Sequence, residues 1–417
     1  MPPIACLLSY SSLRPKPLFI SLVGFLPLAA TLLTPLPFEF QNTTAQWAYL
    51  SYENPSFAVI AGEFNRSAFV AQTKTVTSDL EVTKALEYLN STDFVAYDER
   101  FFDLIGPEAT IRRVHDLPFQ THEAPCYNPS TKELFFIEWG PPGGDDGSHD
   151  WQYLLNTETN ELRKISTDPP IHNVHGCAFH NGSYYVVTDG SQNRTASLKR
   201  INPDTLEATT LLNNYYGLPF QGFNDLDIDS DGNFWITDDH YGWGRGVIHF
   251  TPPVLSTVYF VNGSTLRPRP FHVTENQANG IAFSQGRDGK GTVFISHTGA
   301  VSPDKSHREY PYRPRTLEAY DVSYPGAWTS GPRLVSVPIS FVYDGIKTAR
   351  SGWVFAGAGE GVDVLDPQTG LALGTIRVGG GDYVAVNMAL GQKELWIVGA
   401  GGVWHVAGFR ETLARGF

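Results

Sequence analysis

From Phe94 to the C-terminal end the chain runs in short stretches of alternating apolar and polar residues, broken by Gly, Asp, Asn and Pro. Alternation of period two between turn-forming residues predicts strands. Before Phe94 one stretch has helical character: Ser78-Asp79-Leu80-Glu81 resembles a capping box and predicts a short helix through Leu89. Residues 34–55, rich in Pro, Asn and Thr, read as a linker or leader to the folded part.

The alternating stretches come in pairs, and the pairs recur six times. Ala124-Pro125-Cys126 leads to Phe135-Phe136-Ile137, His175-Gly176-Cys177 to Tyr185-Val186-Val187, and Asn224-Asp225-Leu226 to Trp235-Ile236-Thr237. Asn279-Gly280-Ile281 then leads to Val293-Phe294-Ile295, Asp344-Gly345-Ile346 to Val354-Phe355-Ala356, and Asn387-Met388-Ala389 to Leu395-Trp396-Ile397. Each pair reads as a hairpin, closed by a turn such as Asp231-Gly232 or Gly391-Gln392. The intervals leave room for two more strands per unit, the size of a propeller blade. The expectation is an all-β fold, a six-bladed β-propeller over residues 94–417 with a short N-terminal extension (34–93) containing one helix and a signal segment at 1–33. Residues just before the inner strands of such a fold converge on one end of its axis. Here they are Glu123, His175, Asn224, Asn279, Asp344 and Asn387, an oxygen-rich ring.

Composition narrows the class. Forty Gly and 29 Pro against two Met support strands and turns over long helices. A formal charge of −13 with no Lys/Arg cluster excludes a nucleic-acid surface and suits a metal or a neutral or cationic partner. Arg14 and Lys16 precede an apolar run from Leu18 to Leu33, which is short for a bilayer span of ~20 residues and predicts a signal peptide; a retained anchor is the alternative. No later segment is apolar enough to span a membrane. Asn-x-Ser/Thr acceptor sites at Asn42, Asn65, Asn90, Asn181, Asn193 and Asn262 agree with secretion as a glycoprotein. Removal of the signal takes Cys6 and leaves Cys126 and Cys177, either one disulfide or two buried thiols.

Glu123, Asn224, Asn279 and Asp344 offer carboxylate and amide oxygens, the donors a hard cation such as Ca²⁺ prefers; Mg²⁺, Mn²⁺ or Zn²⁺ are also accepted by such oxygens. The competing reading is that these Asn-Asp, Asn-Gly and Asp-Gly dipeptides are turn chemistry. His175, His297 and Tyr241 are candidates for proton transfer or substrate contact, and His122 and His240 also sit near strand ends; a hydrogen-bonded loop histidine is the alternative for each. Tyr241 and Trp243 in the loop 239–244 read as an aromatic lid or as packing. Asp227-x-Asp229-x-Asp231-Gly232 superficially matches an EF-hand loop, but β alternation puts Leu226 and Ile228 on the blade core with the aspartates facing out, which argues against a second calcium. Gly379-Gly380-Gly381 lacks the Lys and Ser/Thr of a phosphate loop, and there is no serine nucleophile elbow.

With these motifs in order, the chain resembles the senescence-marker-protein/gluconolactonase/luciferin-regenerating-enzyme family, and within it the secreted fungal lactonohydrolases. The resemblance runs from about Phe94 to Val406 and rests on Glu123-Ala124-Pro125, the stretch Asn224–Asp238, Asn279-Gly280-Ile281-Ala282-Phe283 and Asp344-Gly345-Ile346. It implies a metal held by Glu123, Asn279 and Asp344 with Asn224 beside it, and calcium-dependent hydrolysis of an aldonolactone-like or secondary-metabolite lactone. Asp344 is the expected general base, with an Asn224 amide at the developing oxyanion. Ala124 departs from the family, which commonly has Gly there. Two other readings of the same fold are non-hydrolytic, strictosidine-synthase-like chemistry and a non-enzymatic ligand-binding glycoprotein.

Overall fold

Period-two alternation lets each central strand serve two interfaces at once. In Glu133–Trp139, Phe135 and Ile137 pack on one side against Tyr184 and Val186, while Leu134 and Phe136 pack on the other against Trp396 and Val398. Both sides are covered, so such strands read as near-continuous apolar runs. In the computed structural model, which describes residues 32–415 apart from 118, 119, 122, 140–150, 287, 288, 305, 307, 324, 325 and 329, this pattern produces six blades around one axis. Among the described residues the buried apolar side chains form six clusters, one between each pair of neighbouring blades. The six hairpins read from the sequence are the two inner strands of these blades.

Blade 2 shows the common order from the axis outward: Val174–His180, Ser183–Thr188, Ser197–Ile201 and Ala208–Leu212, all antiparallel. Blade 6 closes the ring. Its strands Ala385–Leu390, Glu394–Gly399 and Gly402–Phe409 are completed by Ile105–His115 from the start of the propeller. Blade 5 is widened by Phe94–Ala96 and then by Trp47–Tyr49, which runs parallel to it.

That last strand corrects the reading of residues 34–55 as a linker. Phe40, Trp47, Ala48 and Tyr49 are buried, and Trp47 stacks on Phe94 at 4.5 Å between centroids. Three apolar residues in succession, covered on both faces, outweigh the Pro and Asn around them. The helix Leu80–Leu89 forms as expected, but its cap is Asp79, whose Oδ1 accepts from the N–H groups of Glu81 and Val82 at 3.0 and 3.2 Å. Val82, Leu86 and Leu89 dock it onto the cluster between blades 4 and 5.

Cys126 and Cys177, on the inner strands of blades 1 and 2, form a disulfide with Cα atoms 5.6 Å apart. Of the acceptor asparagines, Asn42, Asn65, Asn90, Asn181 and Asn193 are exposed and Asn262 is half-buried. Among the described residues no helix is long and apolar enough to cross a membrane. The signal reading falls on 1–33, almost all outside the described residues.

Candidate active site

The inner strands of blades 2, 3, 4 and 6 carry a bulge where they reach the axial ring, while Glu123 and Asp344 stand just ahead of the regular inner strands of blades 1 and 5. In blade 2 His175 is the extra residue between the pairs Val174–Thr188 and Gly176–Val187. The register also slips at Asn224-Asp225 in blade 3 and Asn279-Gly280 in blade 4. A bulge re-aims a side chain that strict alternation would send into the blade. These residues therefore reach a common cavity of about 230 Å³, lined by Glu123, His175, Asn224, Asn279 and Asp344.

The glycines that follow ring residues are packed closely against the next blade. An added Cβ on Gly176 would lie 2.8 Å from the Asn224 carbonyl oxygen, on Gly280 2.3 Å from the Asp344 carbonyl oxygen, and on Gly345 2.1 Å from Cγ of Asn387. Each glycine lets one inner strand approach the ring residue of the next blade.

The ring is held by a second layer of polar groups. His175 Nδ1 lies 2.9 Å from Asp189 Oδ1, and its Nε2 is 3.7 Å from Glu123 Oε1. Asn387 Nδ2 donates to Glu123 Oε2 at 2.9 Å. Asn224 Nδ2 donates to Asp239 Oδ2 at 2.9 Å. Among the described residues, the buried amide oxygens of Asn224 and Asn279 accept no hydrogen bond. Asn224 thus has its carbonyl oxygen uncommitted while one of its two amide N–H donors is engaged by Asp239.

Burial, then the charge of Glu123, pushes the Asp344 carboxyl up to about 8. Burial alone would lower the His175 imidazole, but Asp189 and Glu123 outweigh it and hold His175 well above its ordinary value. Burial likewise raises Asp239 well above the usual carboxylate range. Among the described residues no three His, Cys, Asp or Glu side chains form a metal-binding group. The ring's other donors are amides, and two carboxylates beside two orphaned amide oxygens fit a hard divalent cation.

The other sequence candidates divide. Tyr241 lines the cavity on a single helical turn, Tyr241–Gly244, with its hydroxyl 2.8 Å from Thr298 Oγ1. Trp243 is half-exposed and not in the lining, so the lid reading holds at most for Tyr241. His297 is buried in blade 4, outside the cavity lining; it ends a strand in regular register, and its Nε2 lies 3.3 Å from Glu318 Oε2. His240 bonds Gln221 and the Val254 carbonyl, a loop role, and His122 lies outside the described residues. Leu226 and Ile228 enter the core as expected. Asp227 and Asp229 are nevertheless buried instead of facing out. Asp229 accepts from the N–H groups of Asp231 and Asn233 and from Trp235 Nε1, while Asp227 accepts from the Phe283 N–H and pairs with Arg415.

The orienting residues Asp189 and Asp239 escaped sequence reasoning. A signal existed, since an Asp follows directly on the second strand of both blades: Asp189 after Ser183–Thr188 and Asp239 after Phe234–Asp238. Arg245 and the apolar residues Phe341, Val342, Val384 and Val386 also line the cavity, and nothing in the repeat marks them.

Comparison with known proteins follows this geometry. Over 338 residues the chain is 30% identical to the lactonohydrolase oryL of Aspergillus oryzae, covering 76% of this chain and 75% of that protein. A gluconolactonase from Xanthomonas campestris superposes with a TM-score of 0.59 at 21% identity, over 75% of this chain and 93% of the other. Regucalcin from Agrobacterium tumefaciens, described as a calcium-binding protein, gives 0.53 at 15%, over 73% and 95%. These two are likenesses of fold. Residues 121–401, which carry every ring position, match the SMP-30/Gluconolactonase/LRE-like region, and the chain belongs to that family.

Proposed function

We propose that this protein hydrolyses a lactone to its hydroxy acid with a divalent cation, Ca²⁺ by donor chemistry, held by Glu123, Asn224, Asn279 and Asp344. The observation that carries the reading is the pair of orphaned amide oxygens, Asn224 Oδ1 and Asn279 Oδ1, in one buried cavity with Glu123 and Asp344. Lactone hydrolysis is what the printed names of the lactonohydrolase and gluconolactonase describe, and calcium is what the regucalcin description states for that protein.

When bound, the cation supplies Lewis-acid polarisation of the lactone carbonyl and acidifies water. The chain's own residues do the rest. Asn387 and Asp189 fix Glu123 and His175, and Asp239 turns the Asn224 amide so that its carbonyl oxygen remains available. Asp344 takes the proton as water adds to the acyl carbon and returns it to the ring oxygen as the C–O bond breaks. The acceptor sites and the disulfide fit export through an oxidising compartment.

Purified protein is assayed on aldono- and pantoyl-type lactones with chelator, with Ca²⁺ restored, and beside Asp344→Asn. Activity is expected to vanish with chelator and return with Ca²⁺, and Asp344→Asn to lower kcat/KM by about 10²–10⁴-fold in a folded protein. Full activity under chelation, or in the variant, would overturn the mechanism.

A further inference from the structure

The cavity has two unlike halves. Blades 2 and 3 contribute His175, Asn224, Tyr241 and Arg245. Facing them, beside Asp344, Phe341 and Val342 lead into blade 5, Val384 leads into blade 6 and Val386 lies in its first strand; these four side chains carry no hydrogen-bonding atom. Val342 and Val386 are only 3% and 6% exposed in relative terms, the latter by its burial in the strand Ala385–Leu390.

This wall is braced from outside the propeller. Phe341 adopts φ +55°, a conformation that bulky residues hold only where their surroundings enforce it. Its N–H donates to the Ala68 carbonyl at 3.1 Å, its carbonyl accepts from Arg315, and its ring meets Phe69 edge-on at 6.3 Å. Arg66 donates to the Ile339 carbonyl at 2.8 Å. The N-terminal extension thus fixes the backbone that presents the wall.

A polyhydroxylated lactone bears hydroxyls around its ring, and a hydroxyl pressed on this wall loses water without gaining a partner there. A hydrocarbon arm loses nothing and gains burial. We infer that the site accepts a lactone carrying a hydrocarbon arm, with the carbonyl at the oxygen ring and the arm against Phe341, Val342, Val384 and Val386. This rests on the lactonase reading and names its substrate class.

The test compares γ-lactones bearing unbranched alkyl arms with the unsubstituted ring and with an aldono-γ-lactone. kcat/KM is expected to rise roughly 10-fold per methylene until the wall is covered and to exceed that of the aldonolactone. In Val384→Thr and Val386→Thr the ratio of alkyl to unsubstituted lactone should fall roughly 10-fold. Val384 is half-exposed, so its variant keeps the test open if the buried one misfolds. Preference for the aldonolactone, or an unchanged ratio in the folded variants, overturns the inference. Calorimetry with the matching alkyl γ-lactam, which is not opened, separates the two readings. Tighter binding of the alkyl than of the unsubstituted lactam supports the wall even if no lactone is hydrolysed, and equal binding sinks it.

Discussion

The two ends of the axial channel are built from the same inner strands and are chemically opposite. At the ring end two amide oxygens accept no hydrogen bond among the described residues and stand beside two carboxylates. Toward the other end the charges are matched: Lys347 Nζ lies 3.1 Å from Asp225 Oδ2, and Arg415 pairs with Asp227. The larger cavity, about 480 Å³, opens at that second end. Under the proposed function, volume does not mark the site, whereas uncommitted oxygens do. Asp225 and Asp344 make the contrast local. Burial raises both and Glu123 adds to both; at Asp225 Lys347 opposes burial more strongly than Glu123 adds to it, and that group reaches about 6, while at Asp344 Glu123 comes ahead of the opposing His175 and Arg245, and that group reaches about 8.

If the lower end is structural, breaking its ion pair should cost stability. Lys347→Met leaves Asp225 buried without its cation, and a loss of about 3–5 kcal/mol is expected in chemical unfolding. The double variant with Asp225→Asn should recover most of that loss. An unchanged midpoint for Lys347→Met would erase the distinction between the ends.

The disulfide connects the two regions, because Cys126 and Cys177 line the lower cavity while Glu123 and His175 lie three and two residues before them. Replacing both cysteines by Ala opens a link between positions 51 apart and should cost about 2–4 kcal/mol. A fall in kcat/KM of the folded variant, beyond its loss of stability, is also expected. Unaltered kinetics would assign the bridge to the lower end alone.

The ring was legible because the repeat places one polar residue at or just before the start of every inner strand, and a propeller brings such positions together whatever the loops do. His297 misled for the same reason. It stands near a strand end like the ring residues, but without a bulge its side chain stays with its own blade. The apolar wall was illegible because Phe341-Val342 and Val384 precede the repeats as ordinary connecting residues, and no periodicity distinguishes a wall from a loop. The extension was misread because Pro and Asn frequency outweighed the Trp47-Ala48-Tyr49 run.

The finest adjustment between the two ends sits at Ala124, which links the Glu123 carboxylate to the strand carrying Cys126. Ala124 is fully buried at φ +59°, a backbone conformation that favours Gly. Replacement by Gly removes left-handed strain of roughly 1 kcal/mol. It also gives up the burial of one methyl, about 0.8 kcal/mol, and adds about 0.4–1 kcal/mol of unfolded-state freedom. These opposed contributions predict that Ala124→Gly shifts stability by less than about 1 kcal/mol, as read by the unfolding midpoint. A larger loss would mean that the Ala124 methyl, packed in the cluster between blades 1 and 2, holds Glu123 in place more firmly than strain displaces it.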